Sequence, residues 1–193
     1  MSLERAYLFV FGSVILLAVA SLGLFWIDFT WAAYLMAASA IHHLPTAVRE
    51  LRASLKFSYA ALGISIVLTL FPRLFQSFFI INPYIHSIVV LSYNFAAVGM
   101  YFWLLKAEYI WSPHAKKRLD LLIFCTLATI HLFLNAISML AWINVHIMMQ
   151  FMRFDLWRIT EVFELVYYAI LLFITGKLYF EARNNGGGLR RWN

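Results

Sequence analysis

The stretch that decides the fold is Leu119–Trp142, LDLLIFCTLATIHLFLNAISMLAW, in which Asp120 is the one charged residue at the head of an apolar run. A helix rises about 1.5 Å per residue, so such a run covers the roughly 30 Å of hydrocarbon in a bilayer. Backbone polar groups find no water in lipid, and a lipid-embedded run therefore has to satisfy them within an α-helix. The stretch predicts a helical integral membrane protein.

Apolar runs of this kind recur along the chain, and together they predict an all-α bundle of about six transmembrane helices. The second run is short and is separated from the first by Asp28 alone, so these two form a tight hairpin or the second is shallow. We expect residues 1–183 to form a single domain, followed by a Gly-rich basic tail at 184–193. The predicted spans are Ala6–Ile27, Phe29–Leu44, Ser54–Phe71, Tyr84–Leu105, Leu119–Trp142 and Leu156–Gly176.

Composition excludes a water-soluble domain. The chain is 64% hydrophobic and 12% charged, whereas soluble domains are roughly half apolar and a quarter charged. The net charge of +6 does not indicate nucleic-acid binding, because the basic residues are scattered between the spans. The lone Cys125 can form neither an intrachain disulfide nor a multi-thiolate metal site. The lipid bilayer is therefore the first expected partner.

The distribution of basic residues predicts the orientation. Twelve Lys and Arg residues fall on one side of the predicted spans and three on the other. Cytoplasmic segments carry the excess of positive charge, so both termini are expected in the cytoplasm. The twelve are Arg5, Arg49, Arg52, Lys56, Lys106, Lys116, Lys117, Arg118, Lys177, Arg183, Arg190 and Arg191, and the three are Arg73, Arg153 and Arg158.

Small side chains recur at intervals of three and four residues in three of the spans, which places them on one helix face. Such stripes let helix backbones approach in lipid. They predict either a compact bundle or a face that contacts another membrane subunit or a second copy of the chain. The stripe residues are Ala33, Ala37 and Ala40 in the second span, Ser54, Ser58, Ala61 and Ser65 in the third, and Ser92, Ala96 and Gly99 in the fourth.

Polar residues at bilayer depth are costly, so they usually face the interior of a bundle and often mark a site. Asn135 and Glu164 fall about 10 Å from the outer ends of their spans, and His131, Tyr168 and Asn94 about 16 Å, so together they predict a funnel that opens to the outside. Glu161 falls near the headgroups, where pairing with Arg158 is the alternative. The mouth of the funnel would hold the two glutamates, and a glutamate in a low-dielectric wall is suited to carrying a proton. The alternative is a set of interhelical hydrogen bonds that only lock helices together. The six funnel residues are Asn94, His131, Asn135, Glu161, Glu164 and Tyr168.

Cofactors are not predicted, although the sequence leaves haem and copper open. Paired histidines at matched depth, including His42 and His43, suggest haem ligation, but other members such as His114 fall in loops. His86, His146 and Met149 are weak metal candidates, because imidazole and thioether ligands suit Cu(I). The chain contains no G-x-S-x-G, H-E-x-x-H, phosphate-binding glycine loop or CxxC. A catalytic residue is therefore not assigned.

Two functions from different classes follow. The first is a non-catalytic accessory subunit of a larger membrane complex, which the small-residue stripes and the basic tail favour. The second is a small-molecule or proton-coupled transporter that uses the polar funnel. An intramembrane enzyme or haem protein comes third, and the sequence prefers the first.

Overall fold

The computed structural model describes residues 1–22, 29–44, 48–74, 83–111, 115–144, 148–149, 152 and 156–184. Within these ranges the chain forms six helices, and the predicted all-α class is confirmed. They are α1 (Leu3–Ser21), α2 (Thr30–His42), α3 (Arg49–Leu74), α4 (Pro83–Trp111), α5 (Ala115–Ile143) and α6 (Leu156–Asn184).

Five of these helices, all except α2, are long and apolar enough to cross a membrane. Helix α2 has 13 residues and is about 20 Å long at the usual helical rise. It is the same element that the sequence marks as short. Five of the six expected spans thus have helices of sufficient length and hydropathy, and the crossing of the membrane itself stays a prediction for all six.

Helix boundaries differ from the predicted spans mainly at the polar ends. The fourth helix runs on past Leu105 to Trp111, the fifth begins at Ala115 instead of Leu119, and the sixth continues to Asn184. Hydropathy marks only the part of a helix that is rich in apolar residues, while backbone hydrogen bonding continues beyond it. Charged residues that the sequence assigns to loops or span ends therefore lie on helices.

The six helices form a closed ring. Each packs against the next helix along the chain, and α1 packs against α6 to complete the circle. In this order α1 and α4 are opposite one another, as are α2 and α5. Contacts between α1 and α4 therefore cross the axis of the ring.

The small-residue stripes lie inside this ring except at Ser92, which is exposed. Ser54 shows how they act: its hydroxyl donates to the backbone carbonyl of Met100 across 2.8 Å, tying α3 to α4. Gly99 lies against the ring of Phe57. The other stripe residues are buried between this chain's own helices: Ala33, Ala37, Ala40, Ser58, Ala61, Ser65 and Ala96.

The Gly-rich basic tail lies outside the described residues from position 185 onward, so it stays a prediction.

Candidate functional site

Five tyrosines converge on the interior of the ring, and we call them the tyrosine cluster. They come from three alternate helices: Tyr34 from α2, Tyr93 and Tyr101 from α4, and Tyr167 and Tyr168 from α6. The Tyr34 and Tyr93 rings meet edge to face with centroids 5.5 Å apart. Tyr93 also lies within electrostatic range of the other three. Helices that are not neighbours in the ring meet in this way only toward its axis.

His131 joins this cluster from α5. Its ring stacks on the Tyr167 ring with centroids 4.5 Å apart and planes 5° from parallel. The imidazole is 6% exposed, in keeping with a polar group that faces the bundle interior. The stack thus connects α5 to α6 at the level of the tyrosine cluster.

The two asparagines of the predicted funnel have different surroundings. Asn135 donates from its amide to the backbone carbonyl of His131 at 2.9 Å, and the same amide lies 3.3 Å from the His131 ring. The described hydrogen bonds of Asn135 thus remain within α5. Asn94 is buried on α4, one residue after Tyr93.

The glutamates line a cleft at one end of the ring. Glu161 and Glu164 share a cavity of about 310 Å³ with Ser21, Leu22 and Leu165, where α1 ends and α6 begins. Glu161 is exposed, whereas Glu164 is partly buried.

Glu164 also faces the interior of the ring. It lies one helical turn before Tyr168 on α6 and within electrostatic range of its hydroxyl. The structure thus places Glu164 one turn from Tyr168, and His131 against the neighbouring Tyr167, and it leaves Glu161 exposed at the cleft.

The opposite end of the ring holds buried charges. Glu108 accepts a hydrogen bond from the Tyr7 hydroxyl on one carboxylate oxygen. Its other oxygen accepts from Lys117 Nζ at 2.7 Å. Lys117 lies 3.5 Å from Glu181, whose side chain is 40% exposed, while Glu108 and Lys117 are almost completely buried. Tyr7, Glu108 and Lys117 are therefore called the terminal network, because the chain begins and α6 ends at this end.

A second ion pair lies near the terminal network. Lys177 Nζ on α6 is 2.5 Å from Asp120 on α5, and both side chains are partly buried. The two helices are neighbours in the ring. This pair therefore follows the wall and does not cross the axis.

Metal and haem ligation receive no geometric support from the described residues. His42 and His43 are exposed with ring centroids 5.7 Å apart, and His86 lies in the first turns of α4. Among the described residues no group of three or more His, Cys, Asp and Glu side chains is placed to hold a metal ion. His114 and His146 lie outside those residues, while Met149 is 63% exposed.

No protein-family model matches this chain, and no match was found among curated proteins or solved structures. Functional inference therefore rests on the residues and their geometry.

Sequence reasoning identified part of this interior and missed the rest. It found His131, Glu164 and Tyr168, but not Tyr167, which supplies the stacked ring. Matched depth of the tyrosines on alternate spans was a usable signal for the cluster. Hydropathy does not predict the terminal network, because Glu108 follows the predicted fourth span and Lys117 precedes the predicted fifth span.

Proposed function

We propose that this chain is an integral membrane transporter for a small cationic solute, with both termini on the cytoplasmic side. One observation carries the proposal: an acidic cleft at one end of the ring adjoins, through Glu164, a buried cluster of tyrosines. A positively charged solute is the ligand that both features attract.

The chemistry of the interior supports a cation more than an anion. The face of an aromatic ring attracts a cation within about 6 Å of its centroid, and several such rings form cages for organic ammonium ions. Glu164 supplies a negative charge beside those rings. An anion would meet two carboxylates at the cleft and no described Lys or Arg lining it.

Charge distribution supports the direction of access. The ends of α4 and α6 and the starts of α1, α3 and α5 carry the basic residues expected on the cytoplasmic side. The cleft of Glu161 and Glu164 is at the other end, so we assign it to the outer face. A solute would then reach Glu164 from outside and contact Tyr168 and His131 next.

The first experiment measures uptake of radiolabelled tetraethylammonium and methylammonium into proteoliposomes. We expect saturable uptake by the natural chain and a loss of roughly tenfold or more in Glu164→Gln, the scale of one charge contact to the solute. Glu161→Gln is the matched control, because that residue is exposed at the rim and its loss should cost less.

Thermal unfolding of both variants shows whether they are folded. Uptake that persists unchanged in a folded Glu164→Gln protein contradicts the assignment of this residue. Absence of cation uptake and binding by the natural chain contradicts the transporter proposal itself.

The accessory-subunit function stays a prediction. It depends on stripes that face a partner, and Ala33, Ala37 and Ala40 are buried within this chain's own ring. The stripes therefore no longer favour it over transport. Purification from native membranes in a mild detergent tests it, because a subunit would leave with other polypeptides in fixed ratio.

A further inference from the structure

We propose that the terminal network is a gate that closes the cytoplasmic end of the ring, and that its opening exposes the tyrosine cluster to that side. Its role in transport rests on the function proposed above, whereas its existence as a gate does not. The proposal follows from where the network lies, what it connects, and which partner each charge has.

The network crosses the axis of the ring. Tyr7 belongs to α1 and Glu108 to α4, and these helices are opposite one another in the order of packing. A second approach of the same two helices occurs further in, where Ser13 lies beside the Tyr101 hydroxyl. A hydrogen bond within the wall would leave the axis free, but one between opposite helices obstructs it.

All members of the network lie at one level. Tyr7 is four residues into α1, Glu108 is three residues before the end of α4, and Lys117 is two residues into α5. At the helical rise of 1.5 Å per residue, each is within about 6 Å of its helix end. The network is therefore the outermost point at which α1 and α4 meet at this end of the ring.

Lys117 has two carboxylates within reach, and this makes the closed arrangement reversible. It bonds Glu108 at 2.7 Å and is 3.5 Å from Glu181 on α6, which is partly exposed. A buried ion left without its partner is strongly unfavourable. When α1 and α4 separate, only the Tyr7–Glu108 bond of the network is lost, because Glu108, Lys117 and Glu181 belong to helices that are neighbours in the wall. Opening therefore does not leave the ammonium unpaired.

The two ends of the ring differ. The cleft of Glu161 and Glu164 lies at one end, between α1 and α6, while the Tyr7–Glu108 hydrogen bond obstructs the other. This is the arrangement expected of a transporter that faces outward, in which a site near the midplane is reached from one side at a time. Loss of the Glu108 contacts would favour the form that faces inward.

The experiment measures access to a thiol between the gate and the tyrosine cluster. The substitution Cys125→Ala removes the native thiol. The substitution Ser13→Cys then introduces a buried thiol beside Tyr101, whose modification is measured. The protein is studied in vesicles of known orientation, with a protease-sensitive tag marking the side of the C-terminus. A charged, membrane-impermeant methanethiosulfonate is added from each side, and the rate of modification is read from the mass shift.

Slow modification is expected in the parent protein. Addition of Tyr7→Phe should raise the rate from the terminal side by about tenfold, because it removes the hydrogen bond that joins the opposite helices α1 and α4 in the closed form. Glu108→Ala removes the acceptor of the same bond and should raise the rate in the same direction. Tyr7→Phe keeps the experiment decisive if Glu108→Ala does not fold.

Asp120→Asn is the matched control. It removes the partner of Lys177 at the same end of the ring, but from a pair that connects neighbouring helices. In this variant the Ser13→Cys thiol should be modified at the same rate as in the parent protein. Equal acceleration by Asp120→Asn, or no acceleration by either gate variant, overturns the gate. Failure here leaves cation uptake and its dependence on Glu164 untouched, so the two proposals fail separately.

Discussion

His131 is a polar side chain whose surroundings reduce the cost of its depth. The imidazole has an aromatic ring on one face and the Asn135 amide nearby, so the apolar and polar parts of the ring both find partners. Aromatic stacking and a local hydrogen bond together make a neutral imidazole acceptable in a low-dielectric interior. His131 therefore packs α5 against α6 and also belongs to the proposed solute site.

Substitutions at His131 should separate these two roles. His131→Ala removes the stacked ring and should lower the free energy of unfolding by about 3 kcal/mol, as other losses of a buried aromatic ring do. His131→Phe keeps the ring and should cost less than about 1.5 kcal/mol. Thermal or denaturant unfolding in detergent measures both.

The Phe variant then reports on the site. Because Phe keeps an aromatic face for a cation, tetraethylammonium binding should persist in His131→Phe and weaken in His131→Ala if the His131 ring contacts the solute. Equal destabilisation by the two substitutions would contradict the stacking argument.

At the scale of elements, the seam between α3 and α4 depends on the absence of a side chain at one position. A Cβ added at Gly99 would lie 2.7 Å from the Phe57 ring, which is closer than carbon atoms approach. The Ser54 hydroxyl bonds the Met100 carbonyl one residue further along α4. Small residues therefore bring the two backbones together, as in other helix pairs in lipid.

Gly99→Ala should accordingly destabilise the protein. The Phe57 ring must move or the helices must separate, and overpacking of this kind costs roughly 1–3 kcal/mol. Gly63→Ala is the matched control on α3, because an added Cβ there meets no atom within 4 Å. Alanine is the better helix former, so that change should be neutral or stabilising by up to about 1 kcal/mol.

Unfolding of the two variants under identical detergent conditions provides the comparison. If Gly99→Ala is as stable as Gly63→Ala, the close approach of α3 and α4 at this point is wrong. Sequence periodicity predicted that Gly99 belongs to a packing stripe, but it did not identify Phe57 as the side chain opposite.

At the scale of the whole molecule, closure of the ring explains why polar residues far apart in sequence meet. Neighbouring helices form the wall, and alternate helices contribute side chains to the axis. The chain ends of α1 and α6 come together because those two helices pack against each other. The start of α1 and the end of α6 therefore lie at the end that carries the terminal network.

The position of the termini is a prediction for the folded protein in its membrane. A C-terminal tag should be cleaved by protease added to inside-out vesicles and protected in sealed vesicles of the natural orientation, because the basic side of the spans remains in the cytoplasm. Tagging at Met1 should give the same result. Cleavage of both tags in sealed vesicles of the natural orientation would contradict the predicted orientation. Cleavage of one tag and protection of the other would contradict an even number of spans.

Some features of this protein follow from the sequence alone, because they depend on local composition. Apolar runs such as Leu119–Trp142 dictate helices, since backbone hydrogen bonds must be satisfied within each segment in lipid. The short second run predicted the one helix that is not long enough to count as a span. Small-residue spacing likewise predicted which faces pack.

Other features were decided only by the tertiary structure, because they depend on which helices are opposite each other. Hydropathy is a property of one segment and contains no information on the order of helices around a ring. Tyr7 and Glu108 are 101 residues apart, and Tyr167 pairs with a histidine on another helix. These contacts exist because the ring closes, and closure is a property of six packed helices taken together.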